Sequence, residues 1–393
     1  MRVAVIGSGV AGLAGAAHLA RAGHAVTIFE RFKTPRPLGA GLLLQPAGLA
    51  ALDRLGLRAG AEARGARVSR LLGRTPTGRT VLDLRYAHGR PGDIGIGIHR
   101  ASLFELLLTA AQDAGAQWRT GAGVVRLENM ETAPRLRLES GETTAPFDLA
   151  LICDGAHSVL RRQVCPDAIE RVYPWGALWA VRPDPDGQRH GDLDQVYDGC
   201  RVMIGLLPIG DDPADPGAGP AVSFFWSLRT DELADWRKAG LDAFKARVAG
   251  YWPRAGATID GVEEFGGFSE ARYLDGVCRR WRNGRAVLIG DAAHAMSPQL
   301  GQGANLALAD AATLSDTLAD EAPLTRALPR FESKRRPVAT YYTWMSRALT
   351  PVFQSDSKLL GWLRDLAMGL GCRLPLIRNW MAWTLAGRGR MPG

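Results

Sequence analysis

Arg2-Val3-Ala4-Val5-Ile6-Gly7-Ser8-Gly9-Val10-Ala11-Gly12 opens the chain, a short apolar strand running straight into a glycine-spaced turn. The spacing predicts a helix from Val10 to Ala22, then a second strand, Ala25 to Phe29, ending at Glu30. Strand, glycine turn, helix, strand and an acid about twenty residues further on form the dinucleotide-binding fingerprint. In that reading Gly7 makes the tight turn, Gly9 admits a pyrophosphate beside Val10 and Ala11, and Gly12 lets helix and strand pack closely. Glu30 would hold ribose hydroxyls. A glycine-rich turn in an unrelated sheet would leave Glu30 unexplained. The fold class that follows is α/β, built on a Rossmann-type unit.

Nearly three hundred residues away a second strand-loop-helix unit stands out. The apolar run Ala286-Val287-Leu288-Ile289 ends at Gly290-Asp291, and the loop continues through Pro298, Gly301, Gly303 and Ala304 to Asn305. Pro298 stops any earlier helix, and the glycines let backbone amides approach a ligand. An Ala/Leu-rich helix is expected from about Gly301 to Leu318, its positive end facing an electron-rich group. Asp291 could accept hydrogen bonds from a polyol. Together these features describe the seat of a flavin, with Asp291 on the ribityl chain and the loop along the ring.

A third unit lies between them, where a strand from Phe147 to Cys153 runs into Asp154-Gly155-Ala156-His157-Ser158-Val159-Leu160-Arg161. With all three in this order, residues 1–340 resemble the group A FAD-dependent monooxygenases typified by para-hydroxybenzoate hydroxylase. The resemblance implies a GR2-like FAD-binding domain (1–70, 95–168 and 277–325) and an inserted, mainly antiparallel β-sheet substrate domain (71–94 and 169–276). A basic C-terminal helical region (326–393) would follow. It implies NAD(P)H as reductant without a separate nicotinamide-binding fold, and a C4a-hydroperoxyflavin that delivers one oxygen to the substrate. No metal and no protein nucleophile is needed.

Arg100 precedes a helix start, where the helix dipole disfavours a cation; a bound pyrophosphate would repair this, the role the family gives an arginine here. Val124 matches a position packing on adenine. Arg31 either reaches the adenosine phosphates or is solvated. The loop Arg31 to Pro37 and Gly39-Ala40-Gly41 corresponds to one beside the ring. The resemblance implies that the segment of Asp154, His157 and Arg161 serves cofactor and NAD(P)H; Asp154 could equally cap a helix beginning near Ala156, and the two roles are compatible.

Residues 170–228 change character. Tyr173, Trp175, Ala177 and Trp179 share one face of an alternating strand, and Phe224 and Trp226 share a face of another. Trp175, Trp179, Phe224 and Trp226 are the expected lining of a pocket for an aromatic or hydrophobic small molecule, reacting with O2; the competing reading is an aromatic core with no ligand. A helix is expected from Asp231 to Ala249. His88, His99, His190 and Tyr86 are candidate general bases, none compelling, while His294 would position the flavin loop.

Composition narrows the classes. The net charge of +8 belongs to the tail, because from Arg326 onward twelve Lys/Arg meet three Asp/Glu. No recognition motif accompanies that charge, which argues against nucleic acid. Five cysteines without metal spacing are expected as reduced thiols in a cytoplasmic protein. No uncharged apolar run approaches the about eighteen residues that cross a bilayer. From Pro351 to Arg390 apolar residues recur at helical spacing. That stripe would dock over the body of the protein, with a homodimer contact or a peripheral membrane contact as alternatives.

Three functions fit. The first is a hydroxylating or epoxidising monooxygenase; the second is a flavin-dependent dehydrogenase or reductase without oxygen insertion; the third is a small-molecule sensor with an idle flavin. A halogenase would show Trp-x-Trp-x-Ile-Pro, which Trp175 to Trp179 does not supply.

Overall fold

A computed structural model describes the chain except residues 36–39, 185–190, 216, 321–322 and 393. The loop ahead of Gly41 and the candidate base His190 therefore fall partly or wholly outside the described residues. Two large sheets dominate. The first has six strands in the order Arg282–Asn283, Ala286–Leu288, Leu149–Ile152, Arg2–Ile6, Ala25–Glu30 and Gln117–Thr120, parallel except for the first pair. Its central strands are apolar without alternation because both faces are covered, and Leu149–Ile152 is wholly buried. The helix Val10–Arg21 packs between Arg100–Asp113 and Gly303–Asp320.

The second sheet has seven strands, ordered Ser269–Val277, Ile169–Pro183, Pro220–Arg229, Val202–Asp211, Asp192–Asp198, Arg70–Arg74 and Thr80–Arg85. All its pairs are antiparallel except that of Asp192–Asp198 with Arg70–Arg74. Helices Leu233–Ala239, Leu241–Tyr251 and Pro253–Ile259 cover one face, where Phe244, Val248 and Ile259 pack against it. The single helix expected from Asp231 is broken at Gly240, whose φ of +93° is left-handed. A small sheet of Gly41–Leu44, Gly95–His99 and Ala66–Val68 lies against the opposite face, the amide of Gly41 donating to Ser223 Oγ at 3.1 Å.

Leu324–Phe353 is one helix of 30 residues that carries Pro337 in its interior. Helices Lys358–Gly371 and Pro375–Leu385 follow. The second is fastened to the body: the Tyr342 hydroxyl donates to the carbonyl of Thr384 at 2.7 Å, the Ala47 amide to that of Ala386 at 3.1 Å, and Arg388 pairs with Asp93.

Candidate active site

Three adjacent parallel strands bring the three loops together. Ile6 pairs with Ile152 and Ile152 with Leu288, so the loops after Ile6, Ile152 and Ile289 all leave the carboxyl edge of one sheet. That edge is where open α/β sheets hold ligands. The backbone explains the glycines. A Cβ on Gly7 would lie 2.6 Å from the Cys153 carbonyl oxygen, and one on Gly12 would lie 1.9 Å from that of Gly7. At Gly9 a Cβ would meet nothing within 4 Å, the open side that a phosphate cradle requires. Glu30 is drawn back to this turn: its carboxylate accepts from the Ser8 amide at 3.0 Å, the Ser8 hydroxyl at 2.6 Å and the Phe32 amide at 3.0 Å. Val124 is buried in the ribbon beyond Ala122, whose amide donates to the Glu30 carbonyl. Arg31 is exposed, its guanidinium over the Phe32 ring.

Arg161, fully buried, ties the second loop to the third. Its guanidinium donates to the carbonyls of Ala156 at 2.7 Å, Asp291 at 2.9 Å and Ala292 at 2.8 Å, and pairs with Glu170 at 2.6 Å. No helix begins at Ala156; a turn with Gly155 at φ +85° leads instead to a short helix, Arg161–Val164, so Asp154 caps nothing. Both Asp154 carboxylate oxygens are buried without a hydrogen-bond partner, and burial pushes the carboxyl above its ordinary range. His157 is exposed.

The third loop is held from behind. Asp291 begins a single helical turn, its carboxylate exposed beside Gly303, and a 3-10 turn at Pro298–Leu300 leads to Gly301 in the left-handed region. The helix proper starts with the bond from the Leu306 amide to the Gln302 carbonyl, leaving the amides of Gly303, Ala304 and Asn305 without intrahelical acceptors. Asn305 contributes its side chain inward: its oxygen accepts from the Gln45 amide at 2.8 Å and its nitrogen donates to the carbonyls of Leu43 and Gly301, both at 3.0 Å. Gln45 in turn donates to the Leu300 carbonyl, and Gln302 donates to the Gln45 carboxamide and to the carbonyl of Leu385. Beneath, buried Asp310 accepts from the Gly290 amide at 3.0 Å, bonds His294 at 2.6 Å and pairs with Arg335 at 2.7 Å. Burial would raise its carboxyl, but His294 and Arg335 outweigh this and hold it below the usual range. His294 thus positions the loop.

An open phosphate cradle, an unpartnered buried carboxylate and a helix start with free amides on one edge fit FAD. Residues 1–345 match the FAD binding domain family. The chain belongs to that family. It is an FAD-dependent monooxygenase of the para-hydroxybenzoate hydroxylase-like group. The 3-amino-4-hydroxybenzoate 2-monooxygenase of Streptomyces cremeus is 31% identical over 366 residues, covering 86% of this chain and 84% of its own. The 2-heptyl-3-hydroxy-4(1H)-quinolone synthase of Pseudomonas aeruginosa is 28% identical, with 94% of each chain covered. Klebsiella pneumoniae HpxO, solved with FAD and uric acid, superposes at a TM-score of 0.82 with 22% identity, over 98% of this chain and 97% of that one.

On the sheet side of this monooxygenase the sequence expectation needs correcting. Phe224 and Trp226 do not share a face with Trp179. Register sets Trp179 opposite Phe225 and Leu178 opposite Trp226. Phe224 and Trp226 therefore turn outward to Phe244, Trp236 and Phe268 under the covering helices. Trp179 and Phe225 turn inward, ring centroids 5.0 Å apart, toward Leu43 and the cofactor-binding side. Trp175 is buried on the Trp179 face of the strand.

Beside Trp179 the phenol of half-buried Tyr273 is pushed up to about 12, chiefly by desolvation. Further along, Gln354 donates to Ser227 and accepts from Gln299 of the third loop at 2.5 Å. Sequence reading missed Phe225, Ser227 and Tyr273, whose only signal was strand alternation, which does not name the inner face, and Gln354, which sits just past helix Leu324–Phe353 and carried no signal. The described base candidates are structural. Tyr86 is fully buried, His99 caps helix Arg100–Asp113 by accepting from the Ala101 amide, and the His88 ring accepts from the Arg85 amide. Arg100, the first residue of that helix, is exposed.

Proposed function

We propose that the enzyme hydroxylates a flat aromatic or heteroaromatic molecule bearing a ring hydroxyl, amino or keto group, at the expense of NAD(P)H and O2. The observation that carries this is the aromatic pair Trp179–Phe225 on the sheet face whose Ser227 is joined through Gln354 to Gln299 of the third loop. The names of the relatives, an aminohydroxybenzoate monooxygenase and an alkylquinolone synthase, support the substrate class. FAD, when bound, supplies electron transfer from NAD(P)H and activation of O2. Backbone at Gly7, Gly9, Val10, Ala11 and Gly12, with Arg100 and Arg31, would hold the pyrophosphate and adenosine. Glu30 and Val124 would hold the ribose and adenine. Asp291 and Asp154 would take the ribityl side, and Pro298, Gly301, Gly303, Ala304 and the Asn305 amide the ring.

Rings of Trp179, Phe225 and Trp175 would orient the substrate and exclude water, which otherwise diverts oxygen activation. Tyr273 and the Ser227–Gln354 pair would fix its polar edge. With a phenol pushed up to about 12, Tyr273 serves as a donor near neutral pH rather than as a base. Five free thiols suit a cytoplasmic enzyme. We also propose that the C-terminal helices are a contact surface, for a second copy or a membrane. The catalytic reading is tested by screening hydroxylated and aminated aromatics for accelerated NAD(P)H oxidation under labelled O2. Label in the product is expected; turnover without label would make the protein a flavin dehydrogenase.

A further inference from the structure

Helix Lys358–Gly371 is built inside out. Its apolar residues, Leu359, Trp362, Leu363, Leu366 and Leu370, recur at helical spacing and are each 43–65% exposed. The charged pair in its middle points inward: Arg364 is 3% exposed, donates to the Val352 carbonyl, pairs with Asp365 at 2.6 Å and lies over the rings of Tyr197 and Phe353. The helix has no freedom to roll over and bury its leucines. A Cβ on Gly361 would come within 2.9 Å of the Gly199 backbone, so this face sits directly on the turn beneath it. The next helix repeats the pattern, with Leu376, Ile377, Trp380 and Trp383 between 42 and 87% exposed while Ala382, Thr384 and Leu385 are buried.

We infer that the outward face of these two helices seats on an anionic lipid surface. The inference rests on the contact-surface reading alone, not on the catalytic one. Charge selects the occupant. Lys358, Arg373 and Arg390 are exposed around the apolar stripes, and among the described residues none pairs with a carboxylate. The only acid from Lys358 onward is Asp365, already held by Arg364 and Arg79. In a two-fold contact this basic face would meet itself, with no unheld acid from Lys358 onward on either copy to answer the cations. An acidic bilayer attracts them, while leucine and tryptophan enter the interface. No described helix is long and apolar enough to cross a membrane, so the contact is peripheral.

The test uses the full-length, FAD-loaded protein with vesicles of phosphatidylcholine alone or mixed equally with phosphatidylserine. Partitioning should rise about a hundredfold on the mixed vesicles, three cations each contributing near the surface, and molar salt should weaken it. Leu363→Glu/Leu366→Glu should lose vesicle binding while keeping its melting temperature and NAD(P)H oxidation. Lys358→Glu/Arg373→Glu should lose the preference for phosphatidylserine. A dimer in sedimentation velocity that the leucine variant dissociates, without vesicle binding, would overturn the lipid assignment and keep the contact surface. A monomer that binds neither vesicle would overturn both.

Discussion

The parallel and antiparallel sheets of this enzyme prepare their working sides by opposite means. At the parallel sheet the loops are fixed by buried polar clamps: Glu30 on Ser8, Arg161 on the carbonyls of two loops, Asp310 between Gly290, His294 and Arg335. At the antiparallel sheet rings do the work, and neighbouring residues of one strand serve different ends. Trp226 locks the covering helices while Phe225 turns toward the cofactor side. A clamp misplaced by one residue has no partner, whereas a ring shifted by one residue finds an apolar layer on either face. The clamped edge therefore tolerates little change, and the ringed face can be retuned for substrate.

The contrast is most exposed to Trp226→Ala. Emptying that layer should cost about 3–5 kcal/mol in denaturant unfolding, while the folded fraction keeps its FAD affinity; flavin loss in folded protein would break the division. Arg100→Ala should do the reverse, weakening FAD by about 1.5–3 kcal/mol through a lost charged hydrogen bond with an unchanged melting temperature of the flavin-free protein. Unaltered affinity would return Arg100 to the solvated surface.

Acid should strike the parallel side. His18, buried in helix Val10–Arg21, falls from 6.5 to about 4, chiefly through burial and then repulsion by Arg54. Stability from its neutral ring is whole above pH 6.5 and drains as the pH falls toward 4. Between pH 7 and pH 5 the loss is about 2 kcal/mol, and His18→Gln should flatten it; an equal slope in both proteins would exonerate the histidine. Smallest is Trp179→Ala, expected to raise substrate KM about two- to tenfold with little change in stability. A fall in kcat at constant KM would instead place the ring at the reacting atoms.

Legibility in the sequence follows the same divide. Gly7 and Gly12 could be read because the turn after Ile6 and the start of the next helix set their geometry locally. Asn305 was read as a cofactor contact, yet its carboxamide is spent on Gln45 and Leu43, some 260 positions away, and on the Gly301 carbonyl one turn back. The clamp of Arg161 on the Asp291 and Ala292 carbonyls, 130 and 131 positions away, and that of Gln302 on Gln45 hid for the same reason. The Phe224–Trp226 assignment failed on register, which the sequence of one strand does not contain. The last helices are the sharpest case: periodicity located the apolar stripe, but only the buried Arg364 and the Gly361–Gly199 contact reveal that it faces away from the protein.

The bond from Gln302 to the Leu385 carbonyl has a practical bearing. It makes the final helix part of the wall behind the flavin loop, together with the Ala47–Ala386 bond. Trimming the chain ahead of Pro375, a natural step for anyone wishing to shed a sticky, tryptophan-rich end before crystallisation, would strip two supports from residues 45–47 and 302. Such a shortened protein should be paler as purified, and adding flavin back would not restore its colour.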